Sequence, residues 1–271
     1  MCPELFSIGP IPIRSFGIGL ALSFLLGVFY VRKITQRDGK QFEPMLNYAY
    51  IMIFGGVLGA RLSYVFLHWS DFSNNLLNAV NPFQSGQFGI AGLNLYGGIL
   101  LAIGGSMAYA AYRKDNILDI FDYYAPTVGL GIGVSRIGCF LNGCCFGTPT
   151  DLPWGVEFPE GSIPYAIFGS AHIHPAQIYS SLYGVALLLI LHFVLKKRQF
   201  VGQVIALLFM AEALARFLIE YVRYYEDAMW FDLAGIRPTY NQVVSLGLFL
   251  AGFAIYVIRW RMNRAKPASP A

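Results

Sequence analysis

The apolar runs Ile18–Val31, Tyr183–Leu195 and Val243–Ile258 constrain this chain more than any other feature. A run of that length is a candidate for a lipid-crossing helix, for which about 20 residues suffice. Only helices and closed barrels satisfy every backbone polar group in hydrocarbon. Charged residues make up 13% of the 271-residue chain, against roughly 25% in soluble domains. The reading is an integral membrane protein. Seven apolar spans fall at about 14–31, 45–67, 91–112, 118–136, 175–195, 201–222 and 240–258. Asp119, Asp122 and Pro126 interrupt the fourth. Span length and the absence of two-residue alternation predict helices. The expected fold class is therefore an all-α integral membrane protein of about seven transmembrane helices, with small extracytoplasmic loops or a cap. Residues 1–259 form a single polytopic domain in this reading, and 260–271 a cytoplasmic basic tail.

No basic region precedes the first apolar run and no small-x-small site follows it, so no cleavable signal peptide is expected. Cys2 stands too near the start to be a lipoprotein cysteine. The four cysteines do not form a disulfide framework, because three of them crowd into one short segment.

Basic residues orient the spans. One set of connections holds Arg32, Lys33, Arg37, Lys40, Arg113, Lys114, Lys196, Lys197, Arg198, Arg259, Arg261, Arg264 and Lys266, which are 13 of the 19 Lys and Arg residues. The opposite set includes 68–90 and 137–174, which have none. The N-terminus is expected outside and the C-terminus in the cytoplasm. Segment 137–174 reads as an extracytoplasmic loop or small cap. Segment 68–90, with Trp69, Phe72, Leu76, Leu77 and Phe83, reads as a partly amphipathic piece on the membrane surface.

Six basic residues remain: Arg14, Arg61, Arg136, Arg216, Arg223 and Arg237. Each falls within a span or on its non-cytoplasmic half. A charge in hydrocarbon is costly unless paired or hydrated, so it marks a functional site by default. Guanidinium suits phosphate because its planar fork donates parallel hydrogen bonds and stays charged. The phosphate at hand in a bilayer is the lipid headgroup. Local pairing is the competing explanation: Arg216 and Glu220 share a helix face at i,i+4, and Arg14 and Arg237 sit where snorkelling accounts for them. Glycines gather where spans must approach closely, at Gly55, Gly56 and Gly59, at Gly97, Gly98, Gly104 and Gly105, and at Gly129, Gly131, Gly133 and Gly138. Gly143 and Gly147 lie beyond the span, in a turn-like segment.

The segment SRIGCFLNGCCFG at 135–147, followed by TDLPWGVEFP, resembles the signature region of the prolipoprotein diacylglyceryl transferases of the bacterial inner membrane. GPIPIRSFGIGL, GGVLGARLSYVF, LNLYGGILLA, HPAQIY, ARFLIEYVR and NQVVSL resemble further motifs of that family, in its order, over roughly 10–245. The resemblance implies that phosphatidylglycerol donates its diacylglyceryl group to the lipobox cysteine thiol of a secreted prolipoprotein, releasing glycerol phosphate. It implies a multi-pass protein of the bacterial inner membrane, with phosphatidylglycerol, lipobox prolipoproteins and the membrane as partners. No cofactor and no metal are expected, and no nucleic-acid pattern appears in the sequence. By the same resemblance Arg136, Arg216 and Tyr96 are the catalytic candidates. Arg136, Arg61, Asn142, Gly147 and Glu220 are the substrate-binding candidates. The chain departs from the family pattern in four places: Tyr96 replaces a histidine, Phe16 a tyrosine, Cys139 an asparagine and Cys144 a glutamate. A tyrosine side chain is a poorer base than histidine at neutral pH, so activation of the thiol would fall on the arginines.

Other readings stay open on the residues. Cys139, Cys144 and Cys145 could ligate zinc with His172 or His174, although C-x4-C-C is not a standard zinc spacing; small packing residues are the other reading. His174 before Pro175 suits capping or loop anchoring as well as proton transfer. A divergent paralogue of the same fold, binding phosphatidylglycerol with another acceptor or with no activity, is the alternative function. A transporter would show repeated halves, and the sequence has no such repeat.

Overall fold

The computed structural model describes residues 4–8, 11–73, 75, 77, 83–84, 87–88, 92–225, 229–232 and 236–265. Two short strands, β1 (Glu4–Ile8) and β2 (Ile11–Arg14), pair with each other at the start. The long helices are α1 (Ser15–Arg37), α2 (Phe42–Leu67), α4 (Leu95–Arg113), α5 (Ile117–Asn142), α7 (Ala176–Lys196), α8 (Gln203–Ile219) and α9 (Tyr240–Arg264). Between α2 and α4 come the single turn α3 (Trp69–Phe72) and the antiparallel strands β3 (Phe83–Gln84) and β4 (Gln87–Phe88). The short α6 (Ile163–Phe168) lies between α5 and α7. Among the described residues, α1, α2, α4, α5, α7 and α9 are long and apolar enough to cross a membrane. The protein is thus a mainly helical chain with six candidate membrane spans. The expected span at 201–222 corresponds to α8, which has 17 residues.

The chain divides into two compact units. One holds residues 14–27 and 121 onward, the other residues 4–13 and 28–120. In the latter, α2 and α4 pack through Gly59 and Gly97, each of which faces backbone of the opposite helix. Tyr48 donates to Asp115 at 2.9 Å, and Lys40 pairs with Asp119. Phe72 is buried, whereas Trp69 and Leu77 are exposed. Leu76 and the side chain of Phe83, part of the expected surface-lying piece, fall outside the described residues.

In the other unit, α5 and α7 meet at Gly129 and Gly184. A methyl group on Gly129 would stand 2.6 Å from the Leu188 nitrogen, so this is close backbone packing of the small-residue kind. The sequence expectation for α5 needs correcting at its end. The helix runs through Pro126 and continues past Arg136 to Asn142. The first part of the signature segment is therefore helical, and the loop begins only at Gly143. A proline is tolerated in such a helix because surrounding groups re-satisfy the freed carbonyl. Asp122 has a structural task. Its carboxylate accepts from the backbone N–H groups of Gly202 (2.7 Å), Val204 (3.0 Å) and Ile205 (2.9 Å) and pairs with Arg198 at 3.2 Å. The N-cap of α8 is Gly202, at φ 93°, which has no side chain to serve its own helix. Asp122 supplies that cap from α5.

The segment after α5 folds around its own aromatic core. Phe146, Phe158 and Ile173 are buried, with Phe140, Val156, Phe168 and Tyr224 against them. Phe146 stacks on Tyr224 at 5.6 Å between ring centroids.

Candidate functional site

The site residues lie where α5, α7, α8 and α9 bring their ends to the segment 143–174. Helix α5 closes in a Schellman turn: Cys144 N–H donates to the Cys139 carbonyl (3.1 Å) and Gly143 N–H to that of Phe140 (3.2 Å). Gly143 has φ 72°, the left-handed conformation that such a turn requires and that glycine adopts without strain. Cys145 repeats the left-handed conformation at φ 61°, and it is not a glycine. The chain then passes Gly147, which forms an antiparallel bridge with Arg223. A Cβ on Gly147 would come within 2.5 Å of His174 and 2.6 Å of the Val222 carbonyl. Close backbone approach explains this glycine. His174 anchors the same point, since its carbonyl accepts from Gly147 N–H at 3.1 Å. Its Nδ1 lies 3.3 Å from the Tyr179 hydroxyl, which also accepts from Trp154 Nε1 at 2.7 Å.

Glu220 is the hub of the polar side. It is 1% exposed and ends α8, one turn beyond Arg216. Arg216 Nη2 pairs with its Oε1 at 3.0 Å, and the Tyr225 hydroxyl donates to the same oxygen at 2.8 Å. Thr239 donates to Oε2 at 2.9 Å, and Asn241 Nδ2 lies 3.5 Å from it. Arg216 Nη2 and Asn241 Nδ2 also reach the Tyr225 hydroxyl, at 2.9 and 3.1 Å. Both oxygens of Glu220 are thus engaged. Arg216 Nη1 and Arg223 Nε are buried and make no hydrogen bond among the described residues. Arg223 lies over the Tyr225 ring, 4.9 Å from its centroid. Burial first of all, and then the hydrogen bond to Glu220, pushes the Tyr225 hydroxyl up to about 12 against the two arginines.

Arg136 is half-buried on α5. No carboxylate of the described residues lies within ion-pair distance of it; its electrostatic neighbours include Cys145, Cys139 and Tyr183, and more remotely Glu212. The Tyr183 hydroxyl on α7 feels Glu212, Arg136, Arg216 and Arg223 together. Three guanidiniums therefore share one neighbourhood, with donors left over. This positive group is suited to holding an anion with more than one oxygen. Asn142 is the last residue of α5, within reach of the Cys144 thiol.

Beside the arginines, the sulfurs of Cys139, Cys144 and Cys145 lie within 4.8 Å of one another. Cys139 is buried and the other two half-buried. Neither His172 nor His174 joins the group among the described residues. Hydrogen bonds from the other two thiols, then the charges of Arg223 and Arg136, draw the Cys145 thiol below the usual thiol range. Gln177 Nε2 holds the Cys144 carbonyl at 2.8 Å.

Of the residues singled out from sequence, Arg136, Asn142, Gly147, Arg216 and Glu220 come together in this unit. Arg61 and Tyr96 belong to the other. Arg61 is buried there, with Nη1 3.3 Å from the Gly92 carbonyl and the guanidinium over the Phe72 ring at 5.2 Å. Tyr96 is exposed in the first turn of α4, where Asn94 caps its N–H at 3.0 Å. The site adds Arg223, Tyr225, Thr239, Asn241, Tyr183 and Glu212. Glu212, Arg216 and Glu220 follow one another at i, i+4, i+8, a one-face pattern visible in the sequence. Tyr183 has no such signal, because only tertiary packing brings it in.

A family model described as prolipoprotein diacylglyceryl transferase matches residues 3–258. The chain is also similar to proteins named phosphatidylglycerol--prolipoprotein diacylglyceryl transferase. The one from Vibrio vulnificus (strain CMCP6) is 31% identical over 265 residues, which is 97% of this chain and 92% of the relative. The one from Clostridium tetani is 34% identical over 226 residues, 82% of this chain and 86% of the relative. A third, from Pseudoalteromonas translucida, is 28% identical over 269 residues.

Proposed function

This chain belongs to the prolipoprotein diacylglyceryl transferase family, and from that we infer that it is a membrane transferase of lipoprotein maturation. It moves the diacylglyceryl group of phosphatidylglycerol to the lipobox cysteine thiol of a prolipoprotein and releases glycerol phosphate. The observation that carries the site assignment is the group Arg136, Arg216 and Arg223 around Tyr183, with Arg216 Nη1 and Arg223 Nε buried and without a hydrogen-bond partner among the described residues.

The reaction is a displacement at carbon. The thiolate sulfur attacks the glyceryl CH2 that bears the phosphate, the C–O bond breaks, and its electron pair stays on the phosphate oxygen. Negative charge therefore grows on the leaving phosphate. Arg136, Arg216 and Arg223 meet that charge with preorganised donors. Glu220, Tyr225, Thr239 and Asn241 hold Arg216 in place, so Glu220 is a positioning residue here rather than a contact to substrate. Gly147 keeps the signature loop against His174 and Arg223. Asn142 fixes the turn that follows Arg136. On the family motifs that hold them, Arg61 is assigned a substrate-binding and Tyr96 a catalytic role.

We place the protein in the bacterial inner membrane as one polytopic domain over 1–259, with the N-terminus outside and a cytoplasmic tail at 260–271. Helix α8 is the seventh crossing. Its 17 residues rise about 26 Å. The 3-10 turn Glu220–Val222 adds about 6 Å, which together match the ~30 Å of hydrocarbon. Segment 143–174 is the extracytoplasmic cap. In this topology the ends of α5 and α8 that carry the arginines face the outer leaflet, where a secreted thiol arrives.

The test uses purified protein in detergent with phosphatidylglycerol and a lipobox peptide. Peptide-dependent release of glycerol phosphate with a matching mass gain on the peptide is expected. Arg136→Ala and Arg216→Ala should each lower the rate by roughly 100- to 1,000-fold. Retained phosphatidylglycerol binding without release would instead point to a different acceptor, a reading for which Phe16 and Tyr96 speak.

A further inference from the structure

We propose that Cys139, Cys144 and Cys145 bind one thiophilic divalent cation of the zinc type, and that this ion takes the acceptor thiol as its fourth ligand. The proposal rests on the transferase reading for the identity of the acceptor.

Three sulfurs within 4.8 Å of one another are close to a metal-binding arrangement as they stand. Zn–S bonds of about 2.3 Å at tetrahedral angles place sulfurs about 3.8 Å apart. The contraction needed is within about 1 Å, the scale of small χ adjustments in one short segment. Neighbouring cysteines ordinarily point apart, since successive side chains diverge along a helix or a strand. Here the left-handed conformation at Cys145, φ 61°, brings the adjacent side chains of Cys144 and Cys145 toward one point. A non-glycine residue in that conformation persists only where its surroundings impose it. The imposing contacts are the Schellman turn on Cys139 and Phe140 and the Gln177 hydrogen bond to the Cys144 carbonyl. Cys139 is pinned independently, on the last turn of α5.

The ligand count decides what such an ion does. Closed structural zinc sites have four protein ligands, whereas three protein ligands with an open position are the catalytic pattern. The open position stands beside Arg136 and Arg223, both electrostatic neighbours of Cys145. Three thiolates on a divalent ion leave one net negative charge, and a fourth makes two; the guanidiniums offset them. A coordinated thiol is deprotonated outright. The lipobox S–H would lose its proton to solvent on binding the ion. Its sulfur would then form the C–S bond while the C–O bond breaks and the phosphate leaves with the electron pair. No oxidant or reductant is needed. The thiolate is generated next to the group that holds the leaving phosphate.

Co2+ is the probe, because its thiolate complexes absorb in the near-ultraviolet and visible. Reduced, metal-free protein in detergent is titrated with Co2+, and free thiols are counted in the same sample. One Co2+ per chain with a sulfur-to-metal charge-transfer band, displaced by Zn2+, is expected. A lipobox peptide with a free cysteine should intensify and shift the band, and the same peptide with serine should not. Cys139→Ser, Cys144→Ser and Cys145→Ser should each weaken Co2+ binding by at least about 10-fold, with phosphatidylglycerol binding as the check that each variant is folded. Wild-type protein with three free thiols here and no band would overturn the site. A band that the peptide leaves unchanged would overturn the role for the acceptor thiol. Metal-free enzyme transferring at the full rate would overturn the metal step and leave the transferase reading intact. A Co2+ band with no glycerol phosphate release from any form would sink the transferase reading and leave the site standing.

Discussion

If α8 crosses the membrane as proposed, Glu220 explains how Arg216 can stand in it. A guanidinium in hydrocarbon needs a counter-charge, and the carboxylate one turn away supplies it under full burial. Breaking a buried pair by removing one partner is strongly destabilising, because the other charge is left uncompensated. Glu220→Ala should therefore lower unfolding free energy by about 3–5 kcal/mol, and Glu220→Gln by less, as read by unfolding in detergent. A larger loss from the Gln variant than from Ala would remove Glu220 from its place as hub. Tyr225 adds a pH signature. Its hydroxyl has an ordinary pKa of 10.0 and stands at about 12 in the fold. The folded state thus favours the neutral form. That stabilisation is complete below pH 10 and disappears as the pH climbs through 12. Wild-type stability should fall across that window more steeply than that of Tyr225→Phe, with matched slopes between pH 7 and 9. Arg136 and Arg216 stand out in the sequence as charges inside apolar spans, and Glu220 as the i,i+4 neighbour of Arg216. Arg223 stood among the same unexplained arginines, yet its partners Tyr225 and Cys145 could not be read, since bridge and turn geometry bring them together. The convergence of the cysteines was hidden for a related reason: it depends on one left-handed residue, and no spacing rule registers that.

At the scale of elements, the helix periods and lengths were written in the apolar pattern, and the ends were not. Helix α5 was expected to stop near Arg136. It continues to Asn142 and ends where Gly143 supplies a left-handed cap. The strands β1 and β2 were missed altogether, since a short pair ahead of a long apolar run carries little period of its own. Asp122 was read as an interruption and is instead the cap that α8 lacks. Replacing it should act on α8 at a distance in sequence. Asp122→Ala strands Arg198 and frees three backbone donors, so a loss of about 2–4 kcal/mol is expected, a cap of about 1–2 kcal/mol plus part of a buried pair. Hydrogen exchange should show the loss first at Gly202, Val204 and Ile205. Protection there unchanged from wild type would mean that α8 does not depend on the α5 carboxylate.

For the whole molecule, the charge distribution makes the strongest claim. Thirteen of 19 Lys and Arg residues fall in one set of connections, and segments 68–90 and 137–174 contain none. Basic residues in short loops resist translocation, so the topology proposed above puts the bare segments outside and keeps the C-terminus in the cytoplasm. That parity holds only if α8 crosses. Were α8 to lie within one leaflet, the start of α9 and its basic end would exchange sides, and Arg259, Arg261 and Arg264 would face outward against the rule. Single cysteines on a background without the native ones, probed with a membrane-impermeant thiol reagent on intact spheroplasts, separate the two cases. Reaction at positions 157 and 237 with protection at 114, 197 and 264 is the seven-span pattern. Reaction at 264 would give the C-terminus to the outside and leave α8 as a re-entrant element. The arginine group would then still rest at the end of α8, but the hydrocarbon would no longer explain why Arg216 must be paired.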